Sequence, residues 1–203
     1  VKASNTGAND WFGYSCAMNA DGSVMVVGAH QEDSNATGIN GDQSNNGAAN
    51  AGAVYVFVRN GTVWTQQAYI KASNAEAGDE FGRSISISAD GNTIAVSAPL
   101  EDSDAIGING NQTNNNSANA GAAYVYVRNG SVWTQQAYIK PSQVFLDDQF
   151  GNQLDLSGDG HTLAVSAFHY TDKGLVFLYS RTGSTWTYQT TVQGTNSDLG
   201  DDF

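Results

Sequence analysis

An internal repeat constrains this chain more than any other feature. The segments Asp10-Trp11-Phe12-Gly13, Asp79-Glu80-Phe81-Gly82 and Asp148-Gln149-Phe150-Gly151 align, and their phenylalanines are spaced by 69 and again by 69 residues. Trp64 and Trp133 keep the step of 69, whereas Trp133 to Trp186 and Phe150 to Phe203 are each 53 apart. The third repeat is therefore shorter by 16 residues, lost between Ala167 and Gly174, where the first two repeats carry a long loop. A loop that can be removed whole while its flanks keep register lies outside the framework. A unit of this kind buries its apolar face by stacking on the next copy.

Each repeat reads as four strands. Strand A follows the Phe-Gly pair and turns at Ala20-Asp21-Gly22, Ala89-Asp90-Gly91 or Gly158-Asp159-Gly160, where Asp-Gly supplies the positive φ of a tight hairpin. Strand B covers 23–29, 92–98 and 161–167; strand C covers 53–59, 122–128 and 175–181. Strand C turns at Asn60-Gly61 and Asn129-Gly130, again a strong hairpin signal. Strand D carries the tryptophan, as in Val63-Trp64-Thr65-Gln66-Gln67-Ala68-Tyr69-Ile70. No segment has a helical period with caps.

Patterning selects the architecture. Strands B and C are nearly continuous apolar runs, as in Val54-Tyr55-Val56-Phe57-Val58, the pattern of a sheet covered on both faces. Strand D is more polar, as an outer strand should be. The predicted fold is all-β: four-stranded antiparallel meanders stacked as the blades of a β-propeller. Blade repeats are placed at 5–73, 74–142 and 143–195, with 196–203 opening a further blade. Closing a ring takes roughly four to eight blades, so three are expected to be completed by the rest of a parent propeller or by neighbouring subunits. Val1-Lys2-Ala3-Ser4 matches Ile70-Lys71-Ala72-Ser73 at the tail of strand D, and Gly200-Asp201-Asp202-Phe203 repeats the opening motif.

Charge narrows the partners. Eight basic residues stand against 20 acidic ones, a net charge of −12. Such a surface repels phosphate backbones and anionic membranes and suits a basic partner or divalent cations. No apolar run approaches the roughly 18 residues of a membrane span. Cys16 is the only cysteine, which excludes an intrachain disulfide or thiolate cluster; in an apolar strand it is expected as a small buried thiol.

The Phe-Gly pairs at Phe12-Gly13, Phe81-Gly82 and Phe150-Gly151, with degraded Gly-Ala-Pro counterparts at Gly28-Ala29-His30, Ser97-Ala98-Pro99 and Ser166-Ala167-Phe168, resemble the FG-GAP repeats of integrin α-subunit propellers and of many bacterial surface proteins. The Glu-Asp-Ser-Asn loop and Trp-Thr-Gln-Gln strand are most similar to the bacterial form. The resemblance implies a seven-bladed propeller used in adhesion and recognition. Integrin-type blades bind calcium through an Asp-rich A–B loop. Here that connection is a bare Asp-Gly turn, too short for the six to eight oxygens calcium takes.

In a meander the A–B and C–D turns lie at one end, and the B–C loops and D–A linkers at the other. Of the 20 carboxylates, only Asp21, Asp90, Asp155 and Asp159 belong to the first end. The other face is therefore acidic, and it is the expected partner-binding surface. Its two long B–C loops are near copies. Glu32, Asp33, Asn35 and Asp42 in one, and Glu101, Asp102 and Asp104 in the other, offer the oxygens of a Ca2+ site. The alternative, which the Asn/Gly composition favours, is a loop knitted by Asx-turns without metal. The D–A carboxylates Asp10, Asp79, Glu80, Asp147 and Asp148 are read as caps of backbone N–H groups at the blade junction. Trp64, Trp133 and Trp186 could stack sugars, but recurrence at one strand position favours outer-strand packing.

No catalytic constellation is visible. His30, His161 and His169 are not equivalent between repeats, and neither a Gly-x-Ser-x-Gly elbow nor a His-Glu-x-x-His pair occurs; Asp172 beside His169 reads as a short turn. The chain is expected to be a secreted or cell-surface adhesion and protein-interaction module, calcium-stabilised if the loops bind metal, and not an enzyme. The alternatives are a glycan-binding propeller and a structural subunit of a surface fibre or layer.

Overall fold

The structure, a computed structural model, describes residues 1–170 and 174–194. The expectations placed on Asp172 and on 196–203, Phe203 included, lie outside the described residues.

Twelve strands form three four-stranded antiparallel sheets, each a meander in chain order. Blade 1 holds β1 (Ser15–Met18), β2 (Val24–Ala29), β3 (Ala53–Asn60) and β4 (Val63–Ile70). Blade 2 holds β5 (Ile85–Ile87), β6 (Thr93–Ala98), β7 (Ala122–Asn129) and β8 (Val132–Ile139). Blade 3 holds β9 (Leu154–Leu156), β10 (Thr162–Ala167), β11 (Leu175–Thr182) and β12 (Thr185–Val192). Strands B, C and D fall within a residue of their predicted limits. Strand A is shorter: its first residues leave a turn at the positive-φ glycines Gly13, Gly82 and Gly151, although these glycines still donate to Gly28, Ser97 and Ser166 in strand B of their own blades. The Asp-Gly turns close as expected: Asp21, Asp90 and Asp159 each accept the N–H two residues on, from Ser23, Asn92 and His161.

The core lies between the sheets. One cluster joins blades 1 and 2, with Val26, Val54, Val56 and Ile70 meeting Ile94, Val96, Tyr124, Tyr126 and Trp133. A second joins blades 2 and 3. A third lines the outward side of blade 1, around Tyr55, Phe57 and Tyr69, with Phe12, Met25 and Trp64 only partly buried. Stacking explains the unbroken apolar runs of strands B and C, since consecutive side chains enter different junctions.

The long B–C loops are built into the framework at two places. Ile39 bridges antiparallel to Ile70, and Ile108 to Ile139, so each loop covers the free edge of its outer strand. Each loop then ends against the next blade: Phe81 N–H donates to Ala51 O, and Phe150 N–H to Ala120 O, both at 3.0 Å. Gly52 permits that approach, because a Cβ at its φ of +81° would lie 2.5 Å from the Phe81 nitrogen. The loops thus carry part of the blade-to-blade contact, which their loss from the third repeat does not announce.

Cys16 departs from expectation. It is exposed, because it lies on the outward side of β1, the position at which Leu154 of blade 3 is buried against a preceding blade.

Candidate functional site

The B–C and D–A end of the array is the candidate site. Twelve of the sixteen described carboxylates lie there, and Asp42, Glu76, Asp104 and Asp147 are exposed. Its basic groups are few and two are sequestered. Lys71 Nζ meets Glu32 Oε2 at 2.8 Å, and Lys140 Nζ meets Glu101 Oε2 at 2.7 Å; both ammonium groups are fully buried. Lys140 also donates to Ser103 O at 2.7 Å, and Asn74 Nδ2 donates to Glu101 Oε1 at 2.8 Å. Burial lowers the pKa of both lysines, with the paired glutamate opposing it.

The proposed calcium ligands do not converge. Glu32 and Glu101 are taken by lysine. Asp33 Oδ1 accepts Asn50 N–H at 2.9 Å, and Asp102 Oδ1 accepts Asn119 N–H at 2.8 Å, each fastening the loop to its own return. Asp42 accepts Ser44 N–H at 2.9 Å in an Asx-turn. Asn35 N–H donates to Asn45 Oδ1 at 3.0 Å, and Asp104 Oδ2 accepts Asn116 Nδ2 at 3.0 Å. Among the described residues no group of three or more His, Cys, Asp or Glu is arranged to hold a metal ion.

The D–A carboxylates act as the repeat predicts at three positions. Asp10, Asp79 and Asp148 accept N–H groups three residues back, from Gly7, Glu76 and Phe145, at 2.6 to 2.8 Å. Burial pushes Asp79 up to about 8 and Asp148 to about 6, the backbone N–H opposing in each case. Glu80 instead pairs with Arg83, and Asp147 accepts Asn119 Nδ2 at 2.7 Å.

Two features distinguish blade 1 on this face. In blade 2, Asn115 donates to Glu76 and closes the space between the D–A and B–C loops. Gly7 stands at the equivalent place in blade 1, leaving a polar cavity of about 270 Å³ lined by Asn5, Gly7, Asp10, Asp33, Ser44 and Asn46, among others. Trp11, which follows the cavity-lining Asp10 in the chain, and Tyr14 are 56% and 48% exposed. They meet edge-on at 6.0 Å and both contact His30. His30 is buried, its Nδ1 has no hydrogen-bond partner, and burial lowers its pKa. Arg83 of blade 2 lies 5.8 Å from the Tyr14 ring. The equivalents of Trp11 are Glu80 and Gln149, so repeat alignment alone marks Trp11 as unusual.

Two of the three repeated tryptophans are packed between blades, while Trp64 is partly buried against blade 1. Trp133 and Trp186 are each 4% exposed. Trp133 Nε1 donates to Gln67 Oε1 of blade 1 at 3.0 Å, and Trp186 Nε1 to Gln136 Oε1 of blade 2 at 2.9 Å.

Sequence comparison agrees with this geometry. FG-GAP repeat matches fall on residues 1–57 and 64–126, more than half of the chain. The chain belongs to the FG-GAP repeat family. Among curated proteins none matches significantly. Of solved structures, a candidate 6-phosphogluconolactonase from Bacteroides uniformis is similar, with a TM-score of 0.51 and 11% identity over 92% of this chain. This chain covers 40% of that protein's length, and the likeness concerns the fold alone. TolB from Acinetobacter baumannii aligns with a TM-score of 0.43 and 12% identity, over 87% of this chain and 31% of its own. As an FG-GAP array, the chain is a stack of blades that presents its long loops at one end.

Proposed function

We propose that this FG-GAP array is part of an extracellular adhesion and protein-interaction propeller whose acidic loop face engages a basic segment of a partner protein. The observation that carries the reading is the segregation of charge: twelve described carboxylates lie on one face while Lys71 and Lys140 are buried within it. Loops held by a rigid scaffold are where propellers and similar folds place recognition, and such a field speeds the encounter with a cationic partner. Anisotropy of a labelled Lys/Arg-rich peptide tests it. Binding is expected to weaken steeply between roughly 50 and 500 mM salt, and to weaken in the triple variant Asp42→Asn, Asp104→Asn, Asp147→Asn. Binding indifferent to both would overturn the reading. Release of the parent protein into culture medium, or its cleavage by protease on intact cells, tests the secreted or surface location.

A glycan-binding reading rests on Trp11 and Tyr14, exposed aromatic side chains that meet edge-on, Trp11 following the cavity-lining Asp10 in the chain. It predicts sugar-induced quenching of tryptophan fluorescence that is lost in Trp11→Ala. A silent glycan array would dismiss it.

A further inference from the structure

One position of the repeat decides whether the space between a blade's D–A linker and its B–C loop is filled. In blade 2 it is Glu76, which accepts from Asn115 Nδ2. In blade 3 it is Phe145, whose ring meets Tyr170 edge-on at 5.7 Å. In blade 1 it is Gly7, which has no side chain to give, and the cavity of about 270 Å³ is left open. Much of the lining is shared with blade 2: Asn74, Asp79, Asp102 and Asn115 stand where Asn5, Asp10, Asp33 and Asn46 do. The opening does not depend on what lies in front of blade 1. Glu76 and Asn115, the counterparts of Gly7 and Asn46, stay exposed with a blade preceding them.

The side chains lining the cavity include carboxylate oxygens that the fold leaves unused. Glu32 is spent, on Lys71 and on Asn5 Nδ2 at 2.6 Å. Asp10 is only 8% exposed; its Oδ2 takes the Gly7 N–H at 2.6 Å, and its Oδ1 accepts no hydrogen bond among the described residues. Asp33 likewise uses Oδ1 for Asn50 N–H and leaves Oδ2. Ser44 Oγ donates to Asp42 and keeps its lone pairs. Burial raises the Asp10 pKa, the Gly7 N–H opposes it, and Glu32 and Asp33 raise it further; a cation at this carboxylate would offset that. Two carboxylate oxygens and a hydroxyl suit the three donors of an ammonium group. They are too few for calcium, which takes roughly six to eight oxygens, and no three acidic side chains among the described residues are arranged to hold a metal ion. The volume falls below the roughly 300–1,000 Å³ of sites for drug-sized ligands, which suits the end of one side chain. This end of the array already holds an ammonium group in the same manner: Lys140 meets one carboxylate and one carbonyl, Glu101 Oε2 and Ser103 O, both at 2.7 Å.

We propose that the cavity of blade 1 takes the ammonium group of a lysine from the basic partner segment, held by Asp10, Asp33 and Ser44. The inference rests on the reading of the loop face as a surface for a basic partner, and adds an anchor point to it. The acidic face draws the segment in. The cavity then fixes one residue and selects lysine, because a compact ammonium suits separate acceptors, whereas a planar guanidinium pairs best with a single carboxylate through two parallel bonds. Gly7 opens the site and Glu76 closes its copy, so two near-identical loops differ in what they accept.

Gly7→Glu copies blade 2 and separates anchoring from charge by the sign of its effect. A Cβ there would lie 2.5 Å from Asp10 Oδ1, the movable end of a side chain, and Asp79 shows such a carboxylate beside a glutamate, accepting the Glu76 N–H at 2.8 Å. The variant adds a negative charge, so a face acting by charge alone should hold the labelled basic peptide as tightly or more tightly. With a lysine anchored in the cavity, affinity should fall by about tenfold or more. A small probe, Nα-acetyl-lysine methylamide, titrated to roughly 20 mM into the isotope-labelled chain, should shift the Gly7 and Ser44 amide resonances. The norleucine analogue should leave them unmoved, the arginine analogue should act more weakly, and Gly7→Glu should abolish the Ser44 response. Glu76→Gly should open the copy in blade 2 and bring the Thr113 amide into the response. Peptide affinity undiminished by Gly7→Glu, amides unmoved by the lysine probe, or an equal response to the arginine analogue would each overturn the inference. The acidic-face reading falls only if the peptide fails to bind the unmodified chain.

Discussion

Lys71 and Glu32 face each other at 2.8 Å with no solvent on the lysine, and 69 residues later Lys140 and Glu101 repeat the contact at 2.7 Å. Each pair ties the end of an outer strand to the start of its own B–C loop. Removing one partner strands a buried charge, at a cost of about 3–5 kcal/mol. Lys71→Met should therefore lower the urea midpoint sharply, and adding Glu32→Leu should restore a large part of the loss. A single variant as stable as the parent chain would show that water reaches the pair.

Asp79 gives stability a pH dependence of definite sign. Its folded-state pKa is raised from 3.8 to about 8, chiefly by burial, so between those values the folded state holds a proton that the unfolded state has released. Stability should be highest below pH 4 as far as this group is concerned, fall as pH rises through the window, and level off above about 8. Asp148 adds a smaller fall that ends near 6. Denaturant midpoints measured from pH 4 to 9 should decline less steeply in Asp79→Asn, which keeps an acceptor for Glu76 N–H without the charge.

Gln67→Ala removes the acceptor shared by Trp133 and Arg128. The N–H of buried Trp133 then goes unmet, for roughly 1–3 kcal/mol, while half-buried Arg128 keeps Asn92 Oδ1. Tryptophan emission should move to the red as water enters. Gln66→Ala, a neighbour on the same strand bonded to Ser4 at an exposed site, should change neither quantity.

Calcium should move the thermal midpoint little. Glu32 and Glu101 hold lysines, and Asp33, Asp102 and Asp42 hold backbone N–H groups, so a cation would have to displace these partners first. Scanning calorimetry in about 5 mM calcium against excess chelator is expected to give a shift below about 2 °C. A rise of 5 °C or more would mean that the loops rearrange into an oxygen-ligand site after all.

Much of the acidic loop face was legible in the sequence, since the meander rule alone assigns each carboxylate to an end. The buried lysines were missed, yet a signal was present. Lys71 and Lys140 recur 39 residues after Glu32 and Glu101, whereas the third repeat, which lacks the long loop and its glutamate, carries Gln193 where a lysine would fall. Reading lysine and glutamate as one unit, lost together, would have found the pair. Pairing between loop and outer strand, as at Ile39 and Ile70, gave no such warning, because a single apolar residue in an Asn/Gly-rich stretch has no periodicity.

By itself, the sequence determined the repeat, the strand limits, the hairpin turns and the stacking of sheets, because these follow from local backbone preference and from apolar runs in fixed register. Only the tertiary structure decided which charges are spent inside the protein, why Cys16 is exposed and how Gln67 locks one blade to the next. Those outcomes depend on which distant groups share a junction, and burial at a junction is a property of the neighbour as much as of the residue.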